Sequence, residues 1–460
     1  MASTVEELRG RTSGQVITED DAGYDEARAV YNAMIDKRPS VVVRATEAAD
    51  VVAAVNHARE NGLDLAVRGG GHSVPGFGTV DDGVVIDLSG MRALEIDPER
   101  RVAWAQAGLT AGAYTAAAGA HGLATPFGDA GSVGIGGIAT AGGAGFLVRR
   151  HGLTIDDVLA AEVVTAAGER LHADARTHPD LFWAIRGGGG NFGVVTRLKF
   201  RLHPVGQILG GMLLLPATAE VLEGFVAEAD AAPEHLSAIA NVMKAPPLPF
   251  VPAEHHGRPV VMALVAYAGD VQAGEHAIGR LRALATPIAD MVRPMPYHAL
   301  FEGGEPERGQ AMAARTLFAD GLDGRAAAEI VDAIERSTAP RAVAQLRVLG
   351  GAMARVSADA TAFAHRDRRI MATVVAMFDR PEERAAQEAW STELADELRD
   401  GDDGAYAGFL GDEGPAAVRA AYPGAHWDRL AAIKAAYDPA NVFRLNQNIA
   451  PAGGVERAAA

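Results

Sequence analysis

Three stretches of this chain are almost stripped of side chains, and they limit what it can fold around. The first, Leu65-Ala-Val-Arg-Gly-Gly-Gly-His-Ser73, reads as a strand end, three glycines and a histidine. The second runs Gly128-Asp-Ala-Gly-Ser-Val-Gly-Ile-Gly-Gly137 and continues as Ala141-Gly-Gly-Ala-Gly145; the third is Arg186-Gly-Gly-Gly-Gly-Asn-Phe-Gly193. Glycine lets a backbone close on a ligand, so Gly69, Gly70 and Gly71 can gather N–H groups into a concavity suited to a pyrophosphate. Eight glycines between residues 128 and 145 argue against a helix or strand there, each costing about 1 kcal/mol relative to alanine. Glycines that let elements pack together explain only part of this density. Three cradles between residues 65 and 193 point to one extended ligand, and a dinucleotide has that shape. Gly69–Gly71 lacks the G-x-G-x-x-G pattern with an acid some 20 residues on, and the P-loop pattern is absent too.

Around these stretches strands alternate with helices. Residues 40–44 read as a buried strand, and Thr46 is placed to cap a helix with Val51, Val52, Val55 and Ala58 on one face, stopped by Asn61-Gly62. Strands are expected at 65–67, 84–88, 102–108, 160–165, 169–173 and 194–202, with helices at 110–120 and from Pro179. After Pro204 the glycine clusters stop. Helices at 324–337 and 381–399 alternate with strands at 259–267, 342–348 and 370–378, and the proline-dense run 245–252 reads as a loop. A helix over 422–437 precedes Asn446-Gln-Asn448, whose amides suit hydrogen bonds to a heterocycle.

The fold class expected is α+β. It comprises an N-terminal segment 1–36, a ligand-binding domain 37–205 of two small α/β subdomains, a domain 206–403 with a mainly antiparallel sheet flanked by helices, a segment 404–450 and a tail 451–460. With 42 Lys+Arg against 59 Asp+Glu the net charge is −17, which excludes general binding of nucleic acid. No cysteine is present, so disulfides and thiolate sites are excluded. No apolar run approaches the roughly 20 residues of a membrane span, and the N-terminus carries no secretory pattern, so a cytoplasmic protein is expected. His121, His151 and the pair His255-His256 lack metal-ligand spacing and read as surface or loop residues.

Four pieces in order carry a resemblance: Arg68-Gly-Gly-Gly-His-Ser73, Val133-Gly-Ile-Gly-Gly137, Asp180 through Thr196, and Tyr437-Asp-Pro-Ala-Asn-Val-Phe-Arg-Leu-Asn-Gln-Asn-Ile449. The chain resembles the FAD-linked oxidases of the vanillyl-alcohol-oxidase (PCMH-type) fold, berberine-bridge-enzyme-like branch, over roughly residues 20–205 and 404–450. The resemblance implies that Arg68, Gly69, Gly70, Gly71 and Ser73 wrap the FAD pyrophosphate and that His72 bonds the 8α carbon of the flavin. It implies that Gly134, Gly136, Gly137, Gly142 and Gly143 pass close to the isoalloxazine and ribityl chain. Gly193, Val194 and Val195 match the segment near the adenosine half, and Asn446 and Asn448 the segment that returns to the flavin. Relatives with a second, cysteinyl link have their cysteine where Ala130 stands here, so one histidyl link is expected.

The catalytic base departs from the family pattern. Relatives often end a Tyr-x-Asn-Tyr motif with the basic tyrosine, and here Gly408 and Phe409 stand in the last two places. Plant relatives carry Glu or Gln on the strand after His365-Arg366, where Val374 falls. Tyr406, His365 and Tyr297 are the remaining candidates for a positioned base. Ile135 takes the position that influences oxygen access. The expected activity is hydride transfer from a small alcohol, amine or polyketide-like molecule to FAD, with oxygen as acceptor, in a monomer or homo-oligomer. The alternatives are a flavin-binding protein without redox turnover, in a binding or non-redox cyclising role, and a nucleotide-binding transferase.

Overall fold

The computed structural model describes residues 4–302, 310–399, 401 and 404–453. The expected boundary between 403 and 404, residues 1–3 and the tail beyond 453 lie outside them. Val41–Arg44, Val84–Asp87 and Leu65–Arg68 run parallel in that spatial order, with Gln15–Ile17 antiparallel at the edge. As in other parallel sheets, both faces are covered: Val43, Leu65 and Ile86 pack toward the helix Ala48–Asn61, and Val42, Ala66 and Val85 pack against Tyr24 and Ala27. The helix is capped by Glu47 rather than Thr46, because the buried Asp50 carboxylate takes both the Thr46 N–H (2.8 Å) and its hydroxyl (2.9 Å).

A second sheet is antiparallel, in the order Leu94–Asp97, Val102–Gln106, Val194–Arg201, Val158–Val164, Arg170–Asp174. Contrary to the propensity argument, part of the second glycine stretch is helical, over Ile135–Ala141. Tertiary contacts override the glycine penalty there. The Ile135 and Gly136 N–H groups donate to the carbonyls of Leu109 (2.9 Å) and Ala107 (3.2 Å), and a Cβ on Gly136 would lie 2.9 Å from that of Ala107. The helix expected over 422–437 is found as Ala425–Tyr437, and an unexpected helix, Gly414–Ala421, precedes it across Tyr422-Pro-Gly424.

The large sheet is antiparallel throughout. Its order is Ala289–Asp290, Gln207–Pro216, Pro259–Tyr267, Leu236–Lys244, Arg341–Val348, Ile370–Phe378, Ala311–Ala319, and Arg293–Pro296 also pairs with Gln207–Pro216. Alternation sends Ala238, Ala240, Ala263, Leu346 and Val374 toward the helices Ala219–Ala231, Gly324–Arg336 and Arg384–Leu398. These helices cover one face; the other turns toward the glycine loops. Buried arginines tie the two halves together. Arg149 donates to the carbonyls of Ala229, Asp230 (2.9 Å), Ala232 (3.0 Å) and Leu236 (3.2 Å), satisfying groups at the end of Ala219–Ala231. Arg366 pairs bidentately with Asp156, both bonds at 2.8 Å.

His121 and His256 are exposed and His255 is half-buried, but His151 departs from the surface reading. It stacks on His203 at 3.9 Å, and His203 pairs with the buried Asp157 at 2.7 Å. Burial, then the neighbouring His203, Arg150 and His235, push the His151 pKa down from 6.5 to about 3. Between those values the unfolded chain binds a proton that the folded chain refuses, so this contribution is full above pH 6.5 and is lost toward pH 3. The slope is at most about 1.4 kcal/mol per pH unit. Asp157, pushed up by its own burial, acts in the opposite sense below its folded pKa. The difference between wild type and His151→Leu in urea unfolding over this range isolates the histidine, and equal slopes would remove it as the source. Among the described residues no helix is long and apolar enough to cross a membrane.

Candidate functional site

The short helix Ile135–Ala141 is the axis of the site, and all three glycine stretches meet around it. At its start the first two come back to back: a Cβ on Gly70 would lie 2.5 Å from the Gly134 nitrogen, and one on Gly134 would lie 2.4 Å from the Gly70 nitrogen. No side chain fits between them. At its end Gly142 and Gly143 make room for Tyr406, whose ring would meet a Gly142 Cβ at 2.7 Å and whose hydroxyl oxygen accepts the Gly143 N–H at 2.7 Å. The third stretch joins through the Gly187 N–H, which donates to the Thr140 carbonyl at 2.9 Å.

At other glycines a Cβ would meet little or nothing among the described residues. Nothing lies within 4 Å of a Cβ built on Gly137, and the nearest atoms to Gly69 and Gly190 are at 3.9 and 4.0 Å. The glycine-rich surface is therefore of two kinds: positions closed by protein backbone, and positions open beside them.

The C-terminal segment is locked onto the third stretch by buried polar groups. Lys434, with no exposed surface, donates to Asp438 (2.7 Å) and to the carbonyls of Asn191 (2.7 Å) and Phe443 (3.0 Å). Asp438 also accepts the N–H groups of Val442 and Phe443, each at 2.8 Å. Asn191 accepts the Ile449 N–H (2.9 Å) and donates to the Gln447 carbonyl (3.1 Å). This frame holds Asn446 beside Gly190. Both Asn446 and Asn448 keep a buried Oδ1 without a donor among the described residues. Buried amide oxygens without partners cost free energy and mark a surface shaped for a further donor.

His72 sits at the outer end of the first loop, half-buried and stacked on Tyr31 at 4.6 Å and 21°. The Tyr31 N–H donates to the Gly71 carbonyl at 3.0 Å, and Asn32 reaches the Val74 carbonyl at 2.8 Å, so residues 31–32 brace the histidine turn.

Several expected residues take other roles. The Arg68 guanidinium is committed to Asp87 (3.0 Å) and the carbonyls of Ala27 and Ala29, so it anchors the turn from behind instead of facing a pyrophosphate. Val194 and Val195 have buried side chains, and Gly193 is closed by Val163 and Val164, leaving only their main chain. Ile135 is fully buried in the core and presents no side chain to the loops. Val374 points into the helix layer.

The three base candidates do not converge. Tyr297 is sealed in an apolar cluster with Phe146 and Phe301, its hydroxyl without a partner among the described residues and its pKa pushed up by burial. His365 donates to the Ala421 carbonyl at 3.2 Å and stacks on Phe318. Only Tyr406 touches the helix that organises the site, and burial pushes its pKa up to about 12 against the opposing pull of Gly143 and Arg347. At neutral pH it is protonated, which is unsuited to a resting base.

The sequence reading missed the face that the large sheet turns toward these loops. Asn241, Gln345 and Thr373 lie in register across it, with Gln345 donating to Asn241 at 2.8 Å. Arg347 follows on the same face, paired with Asp129 at 2.6 Å and over the Phe409 ring at 5.0 Å. The alternation in Arg341-Ala-Val-Ala-Gln-Leu-Arg-Val348 carries this signal, because Ala342, Ala344, Leu346 and Val348 claim the core side.

Comparison with known proteins gives this geometry a family. The model for an FAD binding domain matches residues 39–174, and that described as berberine and berberine like matches 405–450. The (R)-6-hydroxynicotine oxidase of Paenarthrobacter nicotinovorans is 32% identical over 96% of this chain and 97% of its own, and an uncharacterised FAD-linked oxidoreductase of Bacillus subtilis (strain 168) is 30% identical over 96% and 98%. The crystal structure of 6-hydroxy-D-nicotine oxidase from Arthrobacter nicotinovorans superposes with a TM-score of 0.87 at 28% identity, covering 98% of this chain and 99% of that one. The glucooligosaccharide oxidase of Acremonium strictum, which carries a 6-S-cysteinyl, 8α-N1-histidyl FAD, shares the fold at 23% identity and a TM-score of 0.85, over 98% of this chain and 99% of that one. With a PCMH-type FAD-binding half, an antiparallel sheet domain and a returning C-terminal segment, this chain belongs to the berberine-bridge-like family of FAD-linked oxidoreductases.

Proposed function

We propose that the chain holds one FAD through a single bond to His72 and oxidises a small alcohol, amine or polyketide-like molecule, with oxygen as final acceptor. One observation carries this reading: Gly69, Gly137 and Gly190 leave open faces on loops that meet at one short helix, and beside Gly190 stands Asn446, whose Oδ1, like that of Asn448, is buried without a donor among the described residues. A flat heterocycle with ring N–H groups and a phosphate tether fits such a surface. When bound, FAD supplies the oxidising chemistry by accepting hydride at ring N5.

The protein's residues supply position. The main chain of Gly69, Gly70 and Gly71 with Ser73 receives the pyrophosphate, Gly137 lets the ring lie against the backbone, and the main chain of Gly193, Val194 and Val195 lines the adenosine half. The amide oxygens of Asn446 and Asn448 accept from the heterocycle. With no cysteine in the sequence, the histidyl link stands alone. Tyr406 acts as an orienting group, its hydroxyl fixing the Gly143 N–H.

Gly137→Ala separates this reading from a purely structural one. Alanine is the better helix former by up to about 1 kcal/mol and meets no protein here, so unfolding of the flavin-free protein should be unchanged or shifted upward while flavin content falls. Gly134→Ala should instead lower stability, because its Cβ would strike the Gly70 backbone. Undiminished flavin in Gly137→Ala counts against the placement.

The activity is tested by mixing the yellow holoenzyme anaerobically with a panel of alcohols, amines and polyketide-like phenols. Bleaching, then recovery in air, supports an oxidase; recovery only with an artificial acceptor assigns a dehydrogenase. A second reading, flavin kept without redox turnover, draws on the protonated state of Tyr406, and no bleaching by any of the panel would favour it.

A further inference from the structure

Arg347 is 3% exposed, and among the described residues only its Nη2 has an acceptor, Asp129. Nε and Nη1 are buried and find no partner among the described residues. A charged donor left in this state is costly, and the cost persists in a fold only if something else completes the shell. Its position shows what that is. Leu346 and Val348 face the helices, so Arg347 projects from the opposite face, beside Gln345. Asp129 belongs to the second glycine stretch, and Phe409 packs at 5.0 Å against Tyr406, which rests on Gly142 and Gly143. Arg347 therefore stands where the sheet, the glycine loops and the C-terminal segment meet. The ring beneath it is phenylalanine, which offers a π face but no oxygen.

We propose that Arg347 is the specificity-determining residue for a substrate bearing a carboxylate, which the free guanidinium N–H groups receive as the substrate's reactive carbon is presented to the cofactor. This assignment rests on the reading of the site given above. Bonds from a guanidinium to an ionised acceptor are roughly twice as strong as those between neutral groups, so a carboxylate is preferred to a carbonyl of the same shape. Asp129 already draws on one side of the cation and weakens its hold on a second anion; that antagonism supplies a test in the direction of gain.

The flavin-containing holoenzyme is titrated with a size series of carboxylates, from acetate through benzoate to 2-naphthoate, and with the matching primary amides, following the flavin absorbance spectrum. At least one carboxylate should perturb the wild-type spectrum saturably and bind ten-fold or more tighter than its amide. Arg347→Gln should remove that preference, Arg347→Lys should restore part of it, and Asp129→Asn should strengthen carboxylate binding several-fold. The gain in Asp129→Asn cannot come from misfolding. Amides binding as well as acids, no carboxylate binding at all, or unchanged preference in Arg347→Gln with full flavin content each overturns the proposal. Failure of the underlying reading looks different, since the purified wild-type protein would then carry no flavin.

Discussion

His72→Ala is expected to lose covalent flavin completely. In the wild type the yellow colour should survive acid precipitation, and the intact mass should exceed that of the polypeptide by one FAD; in the variant any flavin should be released by acid and the mass should be that of the bare chain. The expectation is all-or-none because no cysteine offers a second attachment, and the first glycine stretch carries no histidine but His72. His151 is stacked on His203, and His365 is bonded to Ala421. The imidazole is also prepared mechanically, since Tyr31 stacks on it and is itself held by the Gly71 carbonyl. Tyr31→Ala should thus slow attachment without abolishing it, measured as the fraction of flavinylated mass in protein purified soon after induction. Acid-stable flavin in His72→Ala would transfer the link to another residue and undo the assignment.

Asp438→Asn is expected to destabilise the protein by about 3–5 kcal/mol, the usual cost of leaving a buried charge without its partner. Lys434 has no exposed surface, and burial already lowers its pKa, so loss of the carboxylate leaves it to lose its proton or break its contacts. A typical domain holds only about 5–15 kcal/mol in all, so the change is a large fraction of the total. Replacing both residues with apolar ones should recover only part of the loss. The pair also serves the carbonyls of Asn191 and Phe443 and the N–H groups of Val442 and Phe443, which apolar side chains cannot satisfy. Urea unfolding of the single and double variants checks both statements; a loss under about 1 kcal/mol for Asp438→Asn would contradict the first.

Much of this architecture is legible in the sequence because glycine and alternation report on backbone geometry. The strands Pro259–Tyr267 and Ile370–Phe378 fall where the apolar runs put them, and Gly62 ends its helix in the left-handed region as its position suggests. What stays hidden depends on contacts distant in sequence. Gly134 and Gly136 look alike on paper, yet one is closed by Gly70 and the other by Ala107, while Gly137 beside them is open. Arg68 reads as a phosphate ligand until Asp87 and the carbonyls of residues 27 and 29 claim it. Arg347 has no neighbour in sequence that marks it; only the packing of strand 341–348 against a loop 218 residues earlier does. At the base motif the sequence departs from its family, and none of the three candidates Tyr406, His365 and Tyr297 offers a substitute phenolate.

The lock between Asn191 and the last segment also sets an order of assembly. The Ile449 amide that closes it lies 258 residues downstream of its acceptor, so a nascent chain can build the first sheets and the large sheet before this clasp exists. On the proposed placement of the ring, Asn446 and Asn448 are in position only once this clasp has closed, so a chain cut short before residue 446 is expected to be purified colourless.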